Sequence, residues 1–265
     1  MKILQIILFC CLFGVILSLS CSPPSDSKEQ GANQRTRKEL LIYSGMTMIS
    51  PLMELAALFE KQENCTIRLS YGGSLHIENS IKINQVGDLY LPGDETFINP
   101  FVEDGTVIDT REVGYNQAVI MVQKGNPKKI NNDMLQFTDR FLAVVIGAEN
   151  GGAIGRETKN IFSELGIYDD VVQNAIYLST DSKGLARAIR NNDADLTINW
   201  KAMACLPENR ESMDMIGLGD RHSRKKKLVM GLLSYSRNKN LARKFLDLAV
   251  SDQGREIFRG YGFLD

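Results

Sequence analysis

The stretch YGGSLHIEN, Tyr71–Asn79, places two glycines and a serine where an apolar, strand-like run changes to a helix-like one. Glycine permits tight backbone paths, and the first turn of a helix leaves its N–H groups without intrahelical partners. The hydroxyl of Ser74 beside such N–H groups suits the binding of an anion. The same residues also fit an ordinary strand-to-helix turn with Ser74 as the N-cap, and both interpretations stay open on this stretch alone.

The histidines and acidic residues do not form a recognisable catalytic or metal-binding motif. His76 follows the serine closely, but the chain has no G-x-S-x-G elbow, and its only other histidine is His222. Asp94 and Glu95 in GDET fit a loop and helix cap better than a metal site. We therefore predict no enzymatic activity, no cofactor and no protein-bound metal.

The elements that would position Ser74 can be inferred from apolar periodicity. From Leu40 onward, short apolar runs such as LLIYSG, CTIRLSY and QAVIMVQKG alternate with helical patterns such as SPLMELAALFEKQ and RETKNIFSELG. This alternation predicts an α/β fold with a parallel sheet covered by helices. With 265 residues and 43% hydrophobic content, the chain can bury a sizeable core and divide into two lobes.

The N-terminal residues indicate an exported protein. Lys2 precedes an apolar stretch too short and too early for a spanning helix, and small residues stand directly before Cys21. A signal peptide is therefore predicted over residues 1–20. Residues 21–38 are polar and rich in proline and serine, which is typical of a flexible tether.

The remaining cysteines and the charge exclude several classes of protein. Cys65 and Cys205 are predicted to be buried thiols, because their spacing shows no disulfide and a metal site would need more ligands. A formal net charge of -1 gives no global attraction to nucleic acid. The basic run Arg221–Lys227 is predicted to be a solvated loop.

A family resemblance rests on an ordered series of segments and not on one motif. The order LLIYSGMTMISPLMELAALFEKQENCTIRLSYGGS, VGDLYLPGDETFI, GGAIGRETKNIFSELGIYDDV and GLARAIRNNDADLTINW resembles the molybdate-binding protein of bacterial ABC importers. That family belongs to the type II periplasmic substrate-binding proteins. Separately, the N-terminus resembles a bacterial lipoprotein signal, although Ser18 stands where leucine is usual; the resemblance implies lipid attachment at Cys21.

The resemblance implies a two-lobed type II periplasmic binding protein fold with a ligand cleft between the lobes. Two crossing strands would join the lobes. The first lobe would comprise residues 39–114 and 233–265, and the second lobe residues 115–232. Open α/β sheets place ligands beyond the carboxyl ends of their strands, which agrees with a cleft of this kind.

The resemblance also implies five ligand-binding residues. Two hydroxyls of the first lobe would be Thr47 and Ser74, and two backbone N–H groups of the second lobe would be those of Ala153 and Ser182. Trp200 stands where the family has a tyrosine hydroxyl; its indole N–H is also a donor but is larger and differently placed. Neutral donors and helix N-termini would stabilise a dianion without a cation, while Arg156 and Lys183 nearby either add charge or are surface cations.

The implied function is capture of molybdate, tungstate or a related oxyanion outside the cytoplasm, by a monomer held to a membrane through an N-terminal lipid anchor. The implied partner is an ABC transporter permease. An alternative is the same fold binding phosphate, sulfate or a small organic anion, which Trp200 and an enlargement of the cleft by Gly72, Gly73 and Gly152 would favour. A second alternative is a tethered sensory binding module.

Overall fold

The computed structural model describes residues 38–219, 222 and 224–263. The predicted signal peptide, Cys21 and all of the predicted tether except Lys38 lie outside the described residues. Within the described ranges, no helix combines the length and the apolar composition needed to cross a membrane.

Strands and helices alternate along most of the chain. The strands are β1 (Glu39–Gly45), β2 (Thr66–Gly72), β3 (Leu89–Leu91), β4 (Val107–Gln123), β5 (Val145–Gly147), β6 (Tyr177–Ser179), β7 (Leu196–Trp200), β8 (Met213–Gly217) and β9 (Lys225–Leu233). The helices are α1 (Ile49–Glu63), α2 (Ser74–Asn84), α3 (Asn99–Glu103), α4 (Ala153–Glu164), α5 (Tyr168–Asn174), α6 (Ser182–Arg190), α7 (Lys201–Cys205), α8 (Pro207–Arg210), α9 (Lys239–Val250) and α10 (Asp252–Gly260). Short 3-10 turns occupy Met46–Met48, Glu95–Phe97 and Met134–Thr138.

Two long strands connect the two lobes of the molecule. The main sheet has the order β2-β1-β3-β9-β4-β7, and β8 also pairs with β4. β4 pairs with β9 along Val107–Gln117 and then with β7 and β8 along Ala118–Gln123, so it leaves one lobe and enters the other. The predicted boundary after Gly114 falls inside β4 beside a register shift. The boundary before Leu233 falls at the end of β9.

Each lobe has its own apolar core. In the first lobe, α1, α9 and α10 cover one face of the sheet, where Phe59 and Phe245 pack edge to face at 5.1 Å between ring centroids. On the opposite face Tyr90 packs against Phe101. In the second lobe, buried residues of β4, β5, β7, α4 and α6 surround Phe162. The burial of these aromatic rings is a large part of the driving force for folding.

Some local predictions were wrong. The basic run is not simply a solvated loop, because Lys225–Lys227 begin β9 and Lys226 is mostly buried against Glu157, with 2.7 Å between Nζ and Oε2. The pairing of β9 with β4 makes these lysines part of the sheet despite their charge.

Cys65 is buried as predicted, whereas Cys205 is only partly buried, and the two are not bonded to each other.

Candidate functional site

The five residues predicted to bind a ligand lie around one small cavity between the lobes. Its volume is about 20 Å³, and its lining includes Thr47, Ser74, Ala153, Ser182 and Trp200. All five are at least nine-tenths buried. A space of this size holds about one water-sized group, so the two lobes are in close contact here. The structure therefore brings these residues together, while their contact with a ligand stays a prediction.

Helix N-termini from both lobes point toward this cavity. Ser74, Ala153 and Ser182 are the first residues of α2, α4 and α6. Thr47 lies in the 3-10 turn that leads into α1, and Trp200 ends β7 and precedes α7. The first-turn N–H groups of a helix lack intrahelical acceptors and carry the positive end of its dipole. The backbone groups at these helix starts therefore contribute positive partial charge at the cavity.

One hydrogen bond joins the hydroxyls of the two lobes directly. Thr47 Oγ1 and Ser182 Oγ are 2.9 Å apart in a buried environment, and either can be the donor. Only one of the two hydrogens can lie between the oxygens, so the other hydroxyl hydrogen is directed elsewhere. This bond ties the turn before α1 to the start of α6.

Ser74 does not act as a helix cap. The N-cap of α2 is Gly73, with φ -61° and ψ 141°, and Ser74 Oγ instead accepts a hydrogen bond of 3.1 Å from the backbone N–H of Gly93. The interpretation of this stretch as a turn capped by Ser74 is thus wrong. The Ser74 hydroxyl therefore still has its own hydrogen and one further lone pair for other partners.

Two buried asparagines that were not predicted from the sequence hold the backbone behind the cavity. Asn116 Nδ2 donates to the carbonyl of Gly93 at 3.0 Å, and Asn199 Nδ2 donates to the carbonyl of Ser182 at 2.9 Å. Asn199 Oδ1 also accepts from the N–H of Trp200 at 2.9 Å. The available signal was a polar amide next to the apolar strand residues of QAVIMV and within LTINW.

Glycines allow the lobes to approach closely, which differs from the expectation that they enlarge the cleft. A Cβ on Gly73 would lie 2.0 Å from the carbonyl oxygen of Gly151 in the other lobe. A Cβ on Gly93 would lie 2.7 Å from Ala153 Cβ, and a Cβ on Gly152 would lie 2.8 Å from the N of Ser74. Because these glycines have no side chain, the two lobes can lie closer together, and the space between them is narrower than it would be with larger residues.

None of the described residues lining the cavity is cationic. Arg156 is instead engaged outside it, with its guanidinium 3.9 Å from the ring centroid of Phe97 and Nη1 at 3.2 Å from Thr96 Oγ1. Lys183 is exposed to solvent. The charged residue that does line the cavity is Asp181, whose Oδ1 caps α6 by accepting from Gly184 N at 2.9 Å.

Asp88 and Asp94 form hydrogen bonds that stabilise the fold, and they do not face the cavity. Asp88 accepts from Leu41 N at 2.8 Å and from the hydroxyl of Ser236. Asp94 caps the 3-10 turn Glu95–Phe97, and its burial raises the pKa of its carboxyl above the usual range. His76 is exposed, and no group of three or more histidine, cysteine or acidic residues suited to a metal occurs among the described residues.

Larger cavities lie elsewhere but are lined by side chains that already pair with one another. The cavity of about 380 Å³ beside α4 contains Glu157 and Lys226, which form the buried ion pair, and Glu164, which pairs with Arg224. Another, of about 470 Å³, includes Tyr261, whose hydroxyl donates to Glu54. We therefore consider the smaller cavity between the lobes the candidate site.

Comparisons with known proteins agree with a binding function. The sequence profile of the family described as bacterial extracellular solute-binding protein matches residues 40–264. A Haemophilus influenzae protein named only as a binding protein is 21% identical over 226 residues, which cover 85% of this chain and 91% of the relative.

Solved structures with the same fold bind different solutes. The periplasmic molybdate-binding protein of Azotobacter vinelandii matches with a TM-score of 0.73 and 13% identity, covering 85% of this chain and 99% of that one. The sulfate-binding protein SubI of Mycobacterium tuberculosis also matches with a TM-score of 0.73 and 13% identity, covering 86% of each chain. A periplasmic thiamin binding protein matches equally well, with a TM-score of 0.73 and 12% identity over 86% of this chain and 83% of that one. The predicted two-lobed periplasmic binding protein fold is confirmed, and the fold alone does not select a ligand.

Proposed function

The chain belongs to the bacterial extracellular solute-binding protein family, and from this premise we propose that it captures a tetrahedral oxyanion of the molybdate and tungstate type. The protein would act outside the cytoplasm and deliver the anion to the permease of an ABC importer. It would perform no chemistry on its ligand. Lipid attachment at Cys21 would keep it, as a monomer, at the membrane that holds the permease.

The observation that carries this proposal is the convergence of neutral donors from both lobes on one buried cavity. Two first-lobe hydroxyls, of Thr47 and Ser74, face two second-lobe helix starts, at Ala153 and Ser182. Hydrogen bonds to an ionised acceptor are roughly twice as strong as those between neutral groups. Several such bonds with the helix dipoles would stabilise a dianion in a site without a cation.

The proposed binding step exchanges contacts between the lobes for contacts with the ligand. Four oxygen atoms do not fit in about 20 Å³, so the side chains of Thr47 and Ser182 would have to give up their 2.9 Å hydrogen bond to each other while the backbones of the lobes stay together at Gly73 and Gly151. Each hydroxyl could then donate to an anion oxygen. A ligand that bridges the two lobes binds the closed arrangement better than the open one and shifts the population toward it.

The hydroxyl and N–H donors of the site would favour a fully deprotonated anion, because a hydrogen phosphate ion carries an O–H group whose lack of a partner costs about 1 to 3 kcal/mol. The carboxylate of Asp181, which also lines the cavity, is an acceptor for such a group, so this discrimination would depend on whether that carboxylate contacts the ligand. Molybdate, tungstate and sulfate have no such hydrogen at neutral pH. The space available in the ligand-bound site would then choose among the deprotonated anions.

A second candidate is a different small anion bound at the same site. The sulfate-binding neighbour matches this chain as well as the molybdate-binding one does, and Trp200 occupies the place where the resemblance implies a tyrosine. The larger indole ring is fully buried at the cavity. Sulfate is therefore included in the test beside molybdate.

The test is isothermal titration of the purified protein with molybdate, tungstate, sulfate and phosphate. We expect saturable heat with molybdate or tungstate, and Ser74→Ala should weaken binding about 10-fold or more, because a hydrogen bond to a charged group contributes about 1.5 to 3 kcal/mol. Ser80→Ala is the matched control on α2, since its hydroxyl donates to the carbonyl of His76 away from the cavity. Absence of heat with all four anions would reject the proposal.

A further inference from the structure

The side chain of Arg156 reaches from the second lobe to the first. Arg156 lies in the first turn of α4, which begins at the cavity with Ala153, and its guanidinium carbon is 3.9 Å from the ring centroid of Phe97. Its Nη1 donates to Thr96 Oγ1 at 3.2 Å. Thr96 and Phe97 belong to a 3-10 turn of the first lobe. One side chain therefore makes two contacts between the lobes.

The 3-10 turn that receives Arg156 is held in place within the first lobe. Asp94 Oδ1 accepts from the N–H of Thr96 at 2.8 Å and from its hydroxyl at 2.5 Å. Because that hydroxyl gives its hydrogen to Asp94, it can only accept from Arg156, which is a donor. The partner of the guanidinium is thus oriented by first-lobe groups alone.

The ring of Phe97 is buried where the lobes meet. Its side chain is 1% exposed, and it packs with the apolar core of the second lobe although its turn belongs to the first. A cation is attracted more strongly to an aromatic face from which water is excluded. Moving the lobes apart here would uncover the ring and separate it from Arg156.

These contacts do not involve the ligand site. Arg156, Thr96 and Phe97 are not part of the cavity lining, so their contacts can form in the closed arrangement with or without an anion. The hydrogen bond between Thr47 and Ser182 also joins the lobes, but the proposed binding step breaks it. The contacts of Arg156 would remain after that step.

We propose that Arg156 is a latch that holds the two lobes together before a ligand binds and stays engaged in the ligand-bound form. This inference takes from the proposed function only the closing of the lobes, and it extends that function by assigning part of the closure to a residue that does not contact the ligand. The apparent affinity for a ligand is reduced by the fraction of molecules outside the binding-competent arrangement. Arg156 therefore contributes to affinity by raising the closed fraction.

The test compares Arg156→Ala with Lys159→Ala, a matched control on the same helix. Lys159 places its Nζ 5.6 Å from the ring centroid of Tyr168 and 2.6 Å from Glu149 Oε1, and both partners lie in the second lobe. Alanine is the best helix former, so both variants are expected to fold. Arg156→Gln serves as a second variant, because it removes the charge and keeps much of the side-chain length.

The first measurement is acrylamide quenching of Trp200 fluorescence without added ligand. Trp200 is the only tryptophan of the chain, and it is 1% exposed at the cavity between the lobes. We expect quenching to be about twofold greater in Arg156→Ala than in the unchanged protein, because more molecules are open, and to be unchanged in Lys159→Ala.

Three results of this measurement would overturn the inference. The first is equal quenching of Arg156→Ala and the unchanged protein. The second is an equally large increase in Lys159→Ala, which would indicate a general loosening of α4. The third is quenching of the unchanged protein as strong as that of the chain unfolded in urea, which would mean that the lobes are open without a ligand.

The second measurement is the Kd for molybdate, obtained by titration calorimetry. We expect Arg156→Ala to raise this Kd by the factor by which the ligand-free closed fraction falls, about twofold. Weaker binding without a change in ligand-free quenching would mean that Arg156 acts as a charge on the anion, and would overturn the latch. If the unchanged protein binds no anion, the proposed function fails, whereas the quenching of Trp200 still decides whether Arg156 holds the lobes together.

Discussion

At the scale of single residues, the hydroxyls of Thr47, Ser74 and Ser182 do not ionise between pH 4 and pH 9. The pH dependence of anion binding would therefore follow the protonation of the ligand more than that of these donors. The stability of the protein is different, because one buried carboxylate near the lobe interface has a shifted pKa. Asp94 is that group, and it lies beside Gly93, which contacts Ser74.

We predict that Asp94→Asn flattens the dependence of stability on pH. Burial raises the pKa of Asp94 above its usual value, so the folded state binds a proton more tightly than the unfolded state does. The free energy of unfolding should then decrease as pH rises from the unfolded pKa through the folded pKa. Asparagine keeps the cap, in which Oδ1 accepts from Thr96 N at 2.8 Å, but does not titrate. Urea unfolding at a series of pH values measures the effect.

Asp133→Asn is the control for this prediction. Asp133 caps the 3-10 turn Met134–Thr138 by accepting from Leu135 N at 3.0 Å, but it is exposed to solvent. A carboxylate in water has no desolvation cost to relieve. If both variants showed the same dependence of stability on pH as the unchanged protein, the account given for Asp94 would be wrong.

At the scale of elements, the start of α6 combines a favourable dipole with an unfavourable charge. Ser182 opens the helix at the cavity, and the carboxylate of Asp181 caps it from the cavity wall. A carboxylate at an N-cap stabilises its helix, but it also repels an anion bound nearby. The two effects can be separated because asparagine caps helices about as well as aspartate does.

We therefore predict that Asp181→Asn increases the affinity for a dianion several-fold, and that this gain shrinks at high ionic strength. Asp181→Ala should instead lower the free energy of unfolding by about 1 kcal/mol, because the bond to Gly184 N is lost. Titration calorimetry and urea unfolding measure the two effects. Asp169→Asn, in the first turn of α5 and exposed, removes the same charge away from the cavity and should leave the affinity unchanged.

The prediction of strands and helices succeeded where apolar periodicity is strong and failed where tertiary contacts determine the secondary structure. The apolar residues Ala118–Val122 predicted the second half of β4, but its first half, VIDTREVG, mixes exposed and buried positions and is a strand because β9 pairs with it. The three-residue strand β6 is held by its pairing with β5. Such short or polar elements carry little local signal in their own residues.

At the scale of the whole molecule, the positions of the candidate site residues followed from family resemblance and not from spacing. Thr47 and Ser182 are 135 positions apart in the chain, yet their hydroxyls form a hydrogen bond. No local pattern predicts such a contact. The roles of Asn116 and Asn199 were missed for the same reason, since each depends on which carbonyl the fold brings opposite its amide.

The close contact between the lobes at Gly73 leads to a prediction about how the two lobes close on a ligand. Gly73 has φ -61° and ψ 141°, which any residue adopts, so Gly73→Ala should not strain the first lobe. The added Cβ would meet backbone atoms of the second lobe, 2.0 Å from the carbonyl oxygen of Gly151 and 3.1 Å from that of Thr180. Since backbone atoms cannot rotate aside, the methyl group should hold the lobes apart.

We expect Gly73→Ala to weaken binding of the proposed anion at least 10-fold, with little change in the midpoint of thermal unfolding, because only the closed arrangement contains the clash. Small-angle scattering in the presence of ligand should give a larger radius of gyration than for the unchanged protein. Gly217→Ala is the control, since a Cβ there meets nothing within 4 Å. If Gly73→Ala bound the anion with unchanged affinity, the ligand would not require the contact between Gly73 and Gly151, and capture by closure of these two lobes would have to be abandoned.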